Sequence, residues 1–247
     1  MLVATWALRN VGIDLTEKLG LFYIRSKYFH PYQFVTHMFM HANFWHLFFN
    51  MFALYMFGKV LEMVWGPRRF LIYFFVTGLG AAVLHSFVTY LEMSSMQKHA
   101  AAFFNTPSPE LLAAFVKSNL HQNIAGITDL INNWYDSPNN PSFIRQGTEV
   151  VQEIVQMRMN IPTIGASGAV FGILLAFGYL FPNTELLLLF PPIPIKAKYF
   201  VIGYGLLEVY FAFTQSNSGI AHFAHLGVML FGFILLKYWG KHSQNFY

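Results

Sequence analysis

The sequence predicts an all-α, polytopic membrane helix bundle, and composition carries most of that prediction. Hydrophobic residues make up 55% of the chain and charged residues only 11%, whereas an ordinary soluble domain has about 25% charged residues. The mean hydropathy is +0.44. The apolar residues also gather into runs that approach the length of about 20 residues that a helix needs to cross a bilayer.

Five of these runs predict membrane-spanning helices, and we expect six spans in all. Residues 1–8 have the composition of the last turns of a further span, so the first span is expected to be incomplete in this chain. The N-terminus lacks the basic segment and the small-residue cleavage site of a signal peptide. The five runs are residues 44–65, 70–91, 164–181, 199–213 and 220–239.

Basic residues lie in the loops that flank the predicted spans. Three clusters fall on one side of the membrane if the spans alternate in direction, and loops rich in Lys and Arg face the cytoplasm. The net charge of +4 is thereby explained without a nucleic-acid partner. The absence of cysteine excludes disulfides and thiol catalysis. The clusters are Arg68 with Arg69, Lys196 with Lys198, and Lys237 with Lys241.

One region has soluble character within a predicted single domain of residues 1–247. Residues 94–162 are expected to form a non-cytoplasmic insert between spans three and four. The segment SPEL at 108–111 predicts a helix start, and the helix is expected to reach about Asn132. Residues 148–159 place their apolar side chains on one face, which predicts an amphipathic helix. An insert without a catalytic role is favoured over one that recruits substrate.

Polar side chains inside a bilayer are costly and usually functional, and three segments near the ends of the spans carry them. Counted from the non-cytoplasmic end of each span, Ser167, His225 and His46 lie within one or two helical turns of the same surface. The segments are HANFWHLFFN with His41, His46 and Asn50, GASG with Ser167, and AHFAHLG with His222 and His225.

A serine hydroxyl attacks a carbonyl only if a base takes its proton, and histidine is the usual base. Contact between a serine and a histidine on two helices requires close backbones, and small residues permit this. A packing motif in which Ser167 only bonds to a neighbour is the alternative. Histidines and an asparagine at one depth favour the nucleophile. The small residues are Gly165, Gly168 and Gly172 on one helix, and Ala221, Ala224 and Gly232 on the other.

In their order and spacing the three motifs resemble the rhomboid family of intramembrane serine proteases, over nearly the whole chain. The resemblance implies a six-span fold with a serine–histidine dyad that opens to the non-cytoplasmic face. It implies Ser167 as nucleophile and His225 as general base. The oxyanion would be held by His46, the Asn50 amide and the Ser167 backbone N–H, and such donors must be aimed at developing charge.

The histidine ring is expected to be held by packing, because no aspartate is present to orient it. Phe171, one turn after Ser167, is placed to stack on His225. His225 is favoured over His222 as base because Gly232 follows it by seven residues, the offset typical of the family. The same offset from His222 gives Met229.

The supporting residues are His41, Gly165 and Gly168, and the chain departs from the family pattern at two places. Val228 stands where a glycine is common, which is expected to widen a helix contact slightly. The loop HPYQFVTH, residues 30–37, replaces a segment that often has a tryptophan–arginine pair. Neither departure removes a catalytic group.

The expected function is cleavage of transmembrane protein substrates near their non-cytoplasmic end, beside a small residue, in a bacterial inner membrane. No cofactor is expected. An inactive rhomboid-like protein that binds membrane clients is the main alternative. A proton-relaying transporter is disfavoured because Glu208 alone carries charge at mid-depth in the spans. A zinc site is disfavoured because no HExxH motif is present. Its four ligands would be His41, His46, His222 and His225.

Overall fold

The computed structural model describes residues 14–120, 124–187, 193–214 and 219–242. The regular elements of these residues are helices and two short antiparallel strands, β1 (Glu185–Leu187) and β2 (Pro194–Lys196). The predicted partial span at residues 1–8 lies outside the described residues. The α-helices are α1 Leu15–Leu19, α2 Gln33–Thr36, α3 Phe44–Ala53, α4 Lys59–Asn105, α5 Pro109–Asn119, α6 Ala125–Asp136, α7 Pro141–Met159, α8 Ser167–Leu180, α9 Ala197–Thr214 and α10 Gly219–His242; a 3₁₀ turn covers His37–Phe39 and a π turn covers Leu54–Gly58.

The chain divides into two compact units. The first unit comprises Met1–Leu21, His30–Val88 and Pro162–Tyr247. The second comprises Phe22–Phe29 and Thr89–Ile161, so it contains most of the predicted insert together with a segment near the N-terminus. A single functional domain over residues 1–247 stays a prediction.

The stretch from α3 to the end of α4 is long and apolar enough to cross a membrane. It runs from Phe44 to Asn105 with a mean hydropathy of 1.9 in its most apolar window. Gly66 interrupts the helix with φ 75° and ψ 161°, a conformation that glycine adopts without steric cost. The break lies between the runs 44–65 and 70–91 that the sequence separates. Shorter apolar helices cover Ser167–Leu180 and Gly227–Gly240, and the six-span topology stays a prediction.

Helix α8 is the buried centre of the first unit. It is apolar around its whole circumference, which is the pattern of a helix that other elements enclose. Tyr73 of α4 is fully buried and donates a hydrogen bond to the carbonyl oxygen of Gly172 over 3.0 Å. Ile173 of α8 and Leu236 of α10 pack in the same apolar cluster as Tyr73. These contacts tie α8 to both neighbouring helices.

Gly168 and Gly172 of α8 lie closest to α4, whereas the sequence had assigned them to the contact with α10. A Cβ at Gly168 would lie 2.5 Å from the Cβ of Ala81, and one at Gly172 would lie 2.6 Å from that of Thr77. Val228 of α10 is fully buried and packs with Ala81 and Phe171. A periodicity argument identifies a small-residue face but not the helix that covers it, which explains the difference. The side chains of Ala221 and Ala224 lie outside the described part.

The second unit has an apolar core built by α5, α6, α7 and the last part of α4. Trp134, Phe103 and Leu112 are buried there. The predicted helix from Ser108 to Asn132 is wrong, because α5 ends at Asn119. The Asn119 side chain donates to the carbonyl oxygen of Phe115 over 2.8 Å, and such side-chain bonding to the backbone competes with helix continuation.

The amphipathic helix predicted for residues 148–159 is confirmed as the second half of α7. Val151 is fully buried and Ile154 nearly so. Val155 and Met159 are partly buried against the same core. The four residues lie on one helical face, as their spacing requires.

Candidate active site

Ser167 is the first residue of α8. The sequence had placed it about four residues inside a span, whereas the helix begins at the serine itself and Ala166 is its N-cap, with φ −81° and ψ 1°. The first backbone N–H groups of a helix have no partner within the helix. The helix dipole adds positive potential at this end. The hydroxyl of Ser167 therefore lies where negative charge is stabilised.

Gly165 brings a histidine close to the backbone that leads into Ser167. Its φ is +124°, which favours glycine strongly. A Cβ at this position would lie 2.7 Å from the Cε1 and Nε2 atoms of His46. The Gly165 N–H donates to the carbonyl oxygen of His37 over 2.9 Å. Only the smallest residue fits between the His46 ring and the start of α8.

Ser167, His225 and Glu208 form a chain of hydrogen-bonding contacts. The Ser167 Oγ lies 3.1 Å from the Nε2 of His225. The Nδ1 of the same ring lies 3.2 Å from the Oε2 of Glu208 on α9. Glu208 is buried, with 5% of its surface exposed. An ionised carboxylate can only accept hydrogen bonds, so the tautomer in which Nδ1 donates to such a Glu208 is the one that leaves Nε2 to accept from the serine hydroxyl.

Glu208 was missed by the sequence argument, which expected no carboxylate beside the histidine. The signal was present, because an acidic residue within an apolar span is a functional candidate by default. Sequence spacing alone does not reveal that α9 turns this side chain toward α10.

Aromatic rings hold the histidine from the side. Phe171 stacks on His225 with ring centroids 4.0 Å apart and planes 9° apart, the contact that the spacing from Ser167 predicts. Tyr204 of α9 stacks in turn on the ring of Phe171, with centroids 4.8 Å apart. His225 is thus held by packing and by a carboxylate together.

His46 lies in the first turn of α3, whose N-cap is Asn43. The Asn43 side chain accepts a hydrogen bond from the His46 N–H over 2.9 Å. The His46 Nδ1 accepts from the N–H of Ala42 over 3.4 Å. In the neutral ring the proton is then on Nε2, the atom that approaches Gly165.

Asn50 and His41 support His46 in different ways. Asn50 is buried, and its Nδ2 donates to the carbonyl oxygen of His46 over 2.8 Å. The ring of His41 meets that of His46 edge to face, with centroids 5.1 Å apart. Burial, followed by the neighbouring His46, lowers the pKa of His41, so this ring is neutral at physiological pH.

A cavity of about 220 Å³ opens beside Ser167. A water molecule occupies about 30 Å³ of the liquid, so the cavity accommodates a small side chain. Within the described residues no three metal-ligating side chains come together to hold an ion. Asn50 and His41 are not among the lining residues, and the side chain of His222 lies outside the described part. The lining residues are His37, Met38, His46, Gly78, Ala81, Ala82, His85, Thr163, Ile164, Gly165, Ser167, Gly168, Ala169 and His225.

An apolar helical bundle that brings a serine, a histidine and a carboxylate into hydrogen-bonding contact is the arrangement that a membrane-embedded hydrolase would need. Comparison with known families identifies the family of the chain. The family model described as the Rhomboid domain matches residues 28–102 and 143–242, well over half of the chain. The chain belongs to the rhomboid family and is an integral membrane protein.

Two relatives carry rhomboid names. Rhomboid protein 1, mitochondrial, of Saccharomyces cerevisiae is 29% identical over 47% of this chain and 28% of its own length. RHOMBOID-like protein 12, mitochondrial, of Arabidopsis thaliana is 27% identical over 78% of this chain and 42% of its own length. The chain therefore spans less than half of either relative. No solved structure matches it.

Proposed function

We propose that this protein is an intramembrane serine endopeptidase that cleaves transmembrane helices near their non-cytoplasmic end. The observation that carries the proposal is the 3.1 Å contact between the Ser167 hydroxyl and the His225 Nε2 beside a cavity. A serine and a histidine at this distance are the minimum set for acyl transfer with a covalent intermediate.

The reaction follows from the positions of the two groups. Ser167 Oγ attacks the scissile carbonyl carbon while its proton passes to the Nε2 of His225. The tetrahedral intermediate collapses as the same proton moves from Nε2 to the leaving amine, and an ester to Ser167 remains. A water molecule then attacks the ester and gives one proton to Nε2. The second tetrahedral intermediate collapses as Nε2 returns that proton to the Ser167 Oγ, which releases the acid and restores both residues.

The negative oxygen of the intermediate requires donors in place before the reaction. The N–H of Ser167 and the Nε2–H of His46 are assigned to it, on the strength of the helix start and the close approach at Gly165. One N–H of the Asn50 amide is engaged by the His46 carbonyl oxygen. Its second N–H is assigned to the oxyanion, so we expect Asn50 to contribute less than His46.

The cavity supports a preference for a small residue next to the scissile bond. On the α4 side its wall includes the small residues Gly78, Ala81 and Ala82, which leave room for a side chain, together with His85. A substrate helix has its carbonyl groups engaged in its own hydrogen bonds. It must therefore unwind locally before a carbonyl reaches Ser167.

The cellular membrane in which the protein lies is a separate part of the proposal. A bacterial inner membrane was the expectation from the sequence. Both relatives carry mitochondrial names, so we propose a mitochondrial membrane instead. Fractionation of cells that express the tagged protein tests this assignment.

Reaction with a fluorophosphonate, which modifies activated serines, tests the proposed function. We expect labelling of the detergent-solubilised wild type and of His222→Ala, and no labelling of Ser167→Ala or His225→Ala. Cleavage of a model transmembrane substrate should follow the same pattern. A wild type that neither labels nor cleaves, but copurifies with membrane proteins, would favour the inactive client-binding alternative. Loss of labelling only in His222→Ala would identify His222, one helical turn before His225, as the general base.

A further inference from the structure

Glu208 is a buried acid on an apolar helix, and its placement calls for a compensating interaction. Only 5% of its surface is exposed, and taking a carboxylate out of water is strongly unfavourable unless hydrogen bonds compensate. Its Oε2 lies 3.2 Å from the Nδ1 of His225. The other nitrogen of this ring contacts Ser167. The acid therefore bonds to the one group that the proposed chemistry must orient.

We propose that Glu208 is a positioning residue, which makes the site a Ser167–His225–Glu208 triad and not a dyad. This inference rests on the proposed function. The carboxylate accepts the Nδ1 proton of His225 in a hydrogen bond and so fixes the tautomer with a free lone pair on Nε2. The same bond fixes the rotation of the ring about its Cβ–Cγ axis.

The proton balance is complete without proton transfer to the acid. When the serine proton reaches Nε2, the ring becomes an imidazolium whose two N–H groups face Ser167 and Glu208. The carboxylate stabilises this cation and remains ionised. When Nε2 passes the proton to the leaving amine, the neutral ring returns to the tautomer it had before.

Helix α9 has a second link to His225, through the rings of Tyr204 and Phe171. This second link is what we expect if α9 positions the histidine, and burial of Glu208 alone would not require it. Tyr204 lies one turn before Glu208, so both side chains share a face of α9. Tyr204 stacks on Phe171, and Phe171 stacks on His225. Two side chains of α9 thus act on the imidazole of His225. Tyr204 acts indirectly, through the ring of Phe171, and Glu208 contacts Nδ1.

The first test compares Glu208→Gln with Glu208→Asp in the full chain, by the rate of fluorophosphonate labelling of Ser167. The amide can donate to Nδ1 and favour the wrong tautomer. Because removing the buried carboxylate of a serine protease triad costs about 10⁴ in kcat, we expect Glu208→Gln to slow labelling by roughly 10²-fold or more. Glu208→Asp keeps the charge and should recover part of the rate. Glu62→Gln, the same change at an exposed position of α4, serves as control.

The second test does not depend on activity or on a variant at Glu208. Nitrogen-15 NMR of wild-type protein with labelled histidine reports which ring nitrogen carries the proton, and His225→Ala identifies the signal. We expect a protonated Nδ1 and an unprotonated Nε2 at neutral pH. A protonated Nε2, or equal labelling by Glu208→Gln and wild type, would overturn the proposal.

Failure of the triad and failure of the proposed function give different results. If Ser167 is no nucleophile, the wild type does not label at all. If only the triad is wrong, the wild type labels and Glu208→Gln labels at the same rate. If Glu208 only holds the fold, Glu208→Gln and Glu208→Asp lower the melting temperature alike and the aspartate recovers no rate, which also overturns the proposal.

Discussion

The interiors of the two units differ in what they contain. The second unit is built around apolar side chains such as Trp134 and Phe103, and Ser26 is its one fully buried polar side chain among the described residues. The first unit buries six, including Asn50, Thr77 and Glu208. Burial of polar groups costs free energy unless they are paired. Apolar packing therefore stabilises the second unit. In the first unit, the buried polar groups lower the free energy of unfolding unless they are paired, and several of them lie at the proposed site.

The largest expected contrast is between Ser167→Ala and Trp134→Ala. Ser167→Ala should abolish cleavage and leave the melting temperature within error, because a hydroxyl at a helix start is lost without leaving a large cavity. Trp134→Ala should lower the free energy of unfolding by about 3–5 kcal/mol, the usual cost of a deleted core aromatic. Its folded fraction should still be labelled by the fluorophosphonate. Cleavage by purified Ser167→Ala at the wild-type rate would contradict the contrast.

The next effect separates two residues inside the first unit. His46→Ala should lower kcat by about 10²–10³, the typical cost of one oxyanion donor. Asn50→Ala should cost less, because one of its N–H groups is bonded to the His46 carbonyl oxygen. The comparison uses kcat on a model transmembrane substrate, with exposed Asn132→Ala in the second unit as control. Equal losses in both variants would show that Asn50 matters as much as His46.

Replacing one glycine by alanine in each unit should change the stability in opposite directions, and by less than the changes above. Gly165→Ala should slow labelling and cost about 1–3 kcal/mol of stability, the range for a side chain held in a disfavoured backbone region. Gly126 lies in α6, where a Cβ meets nothing within 4 Å. Gly126→Ala should therefore stabilise by about 0.5–1 kcal/mol. Thermal melting measures both, and a stabilised Gly165→Ala would refute the close approach to His46.

The smallest effect concerns pH. Burial lowers the pKa of His37, which lies outside the predicted spans, and its Nδ1 donates to the carbonyl oxygen of Gln33 over 2.9 Å. The unfolded chain then binds more protons below its ordinary pKa of about 6.5, so stability falls as the pH drops through that value. His41 acts in the same direction.

We expect the melting temperature to fall between about pH 7.5 and about pH 5.5, a range that brackets the ordinary histidine pKa of about 6.5. The fall should be smaller in His37→Gln than in the wild type. Exposed His30→Gln is the control and should keep the wild-type slope. An unchanged slope in His37→Gln would show that another group dominates the pH response.

Patterns along single helices were predicted well from the sequence. The apolar face of α7 depends on spacing within one helix, and the break at Gly66 depends on local turn chemistry. The stack of Phe171 on His225 joins two helices, and it was predicted because Phe171 lies one turn after Ser167. The motif residues His46, Ser167 and His225 come together because their depths agree, which residue counting can estimate.

Other contacts between helices were not predicted. Gly168 and Gly172 of α8 lie closest to α4, and Glu208 of α9 contacts His225 of α10. A helix that is apolar all round offers no periodic signal for its orientation, and α8 is such a helix. The start of α8 at Ser167 was also missed, since helix boundaries depend on cap geometry that the small residues before it do not specify.

The enclosure of α8 has a consequence for what limits the rate. Tyr73 bonds to the Gly172 carbonyl oxygen and apolar side chains enclose the helix, so Ser167 begins a helix that is fixed on several sides. Under the proposed function, the scissile carbonyl must therefore come to the serine. Turnover would then depend on how often a substrate's own backbone leaves its helical state, a helix–coil equilibrium set by a few residues of the substrate. Selection among substrates would follow from how readily each one unwinds locally in the bilayer.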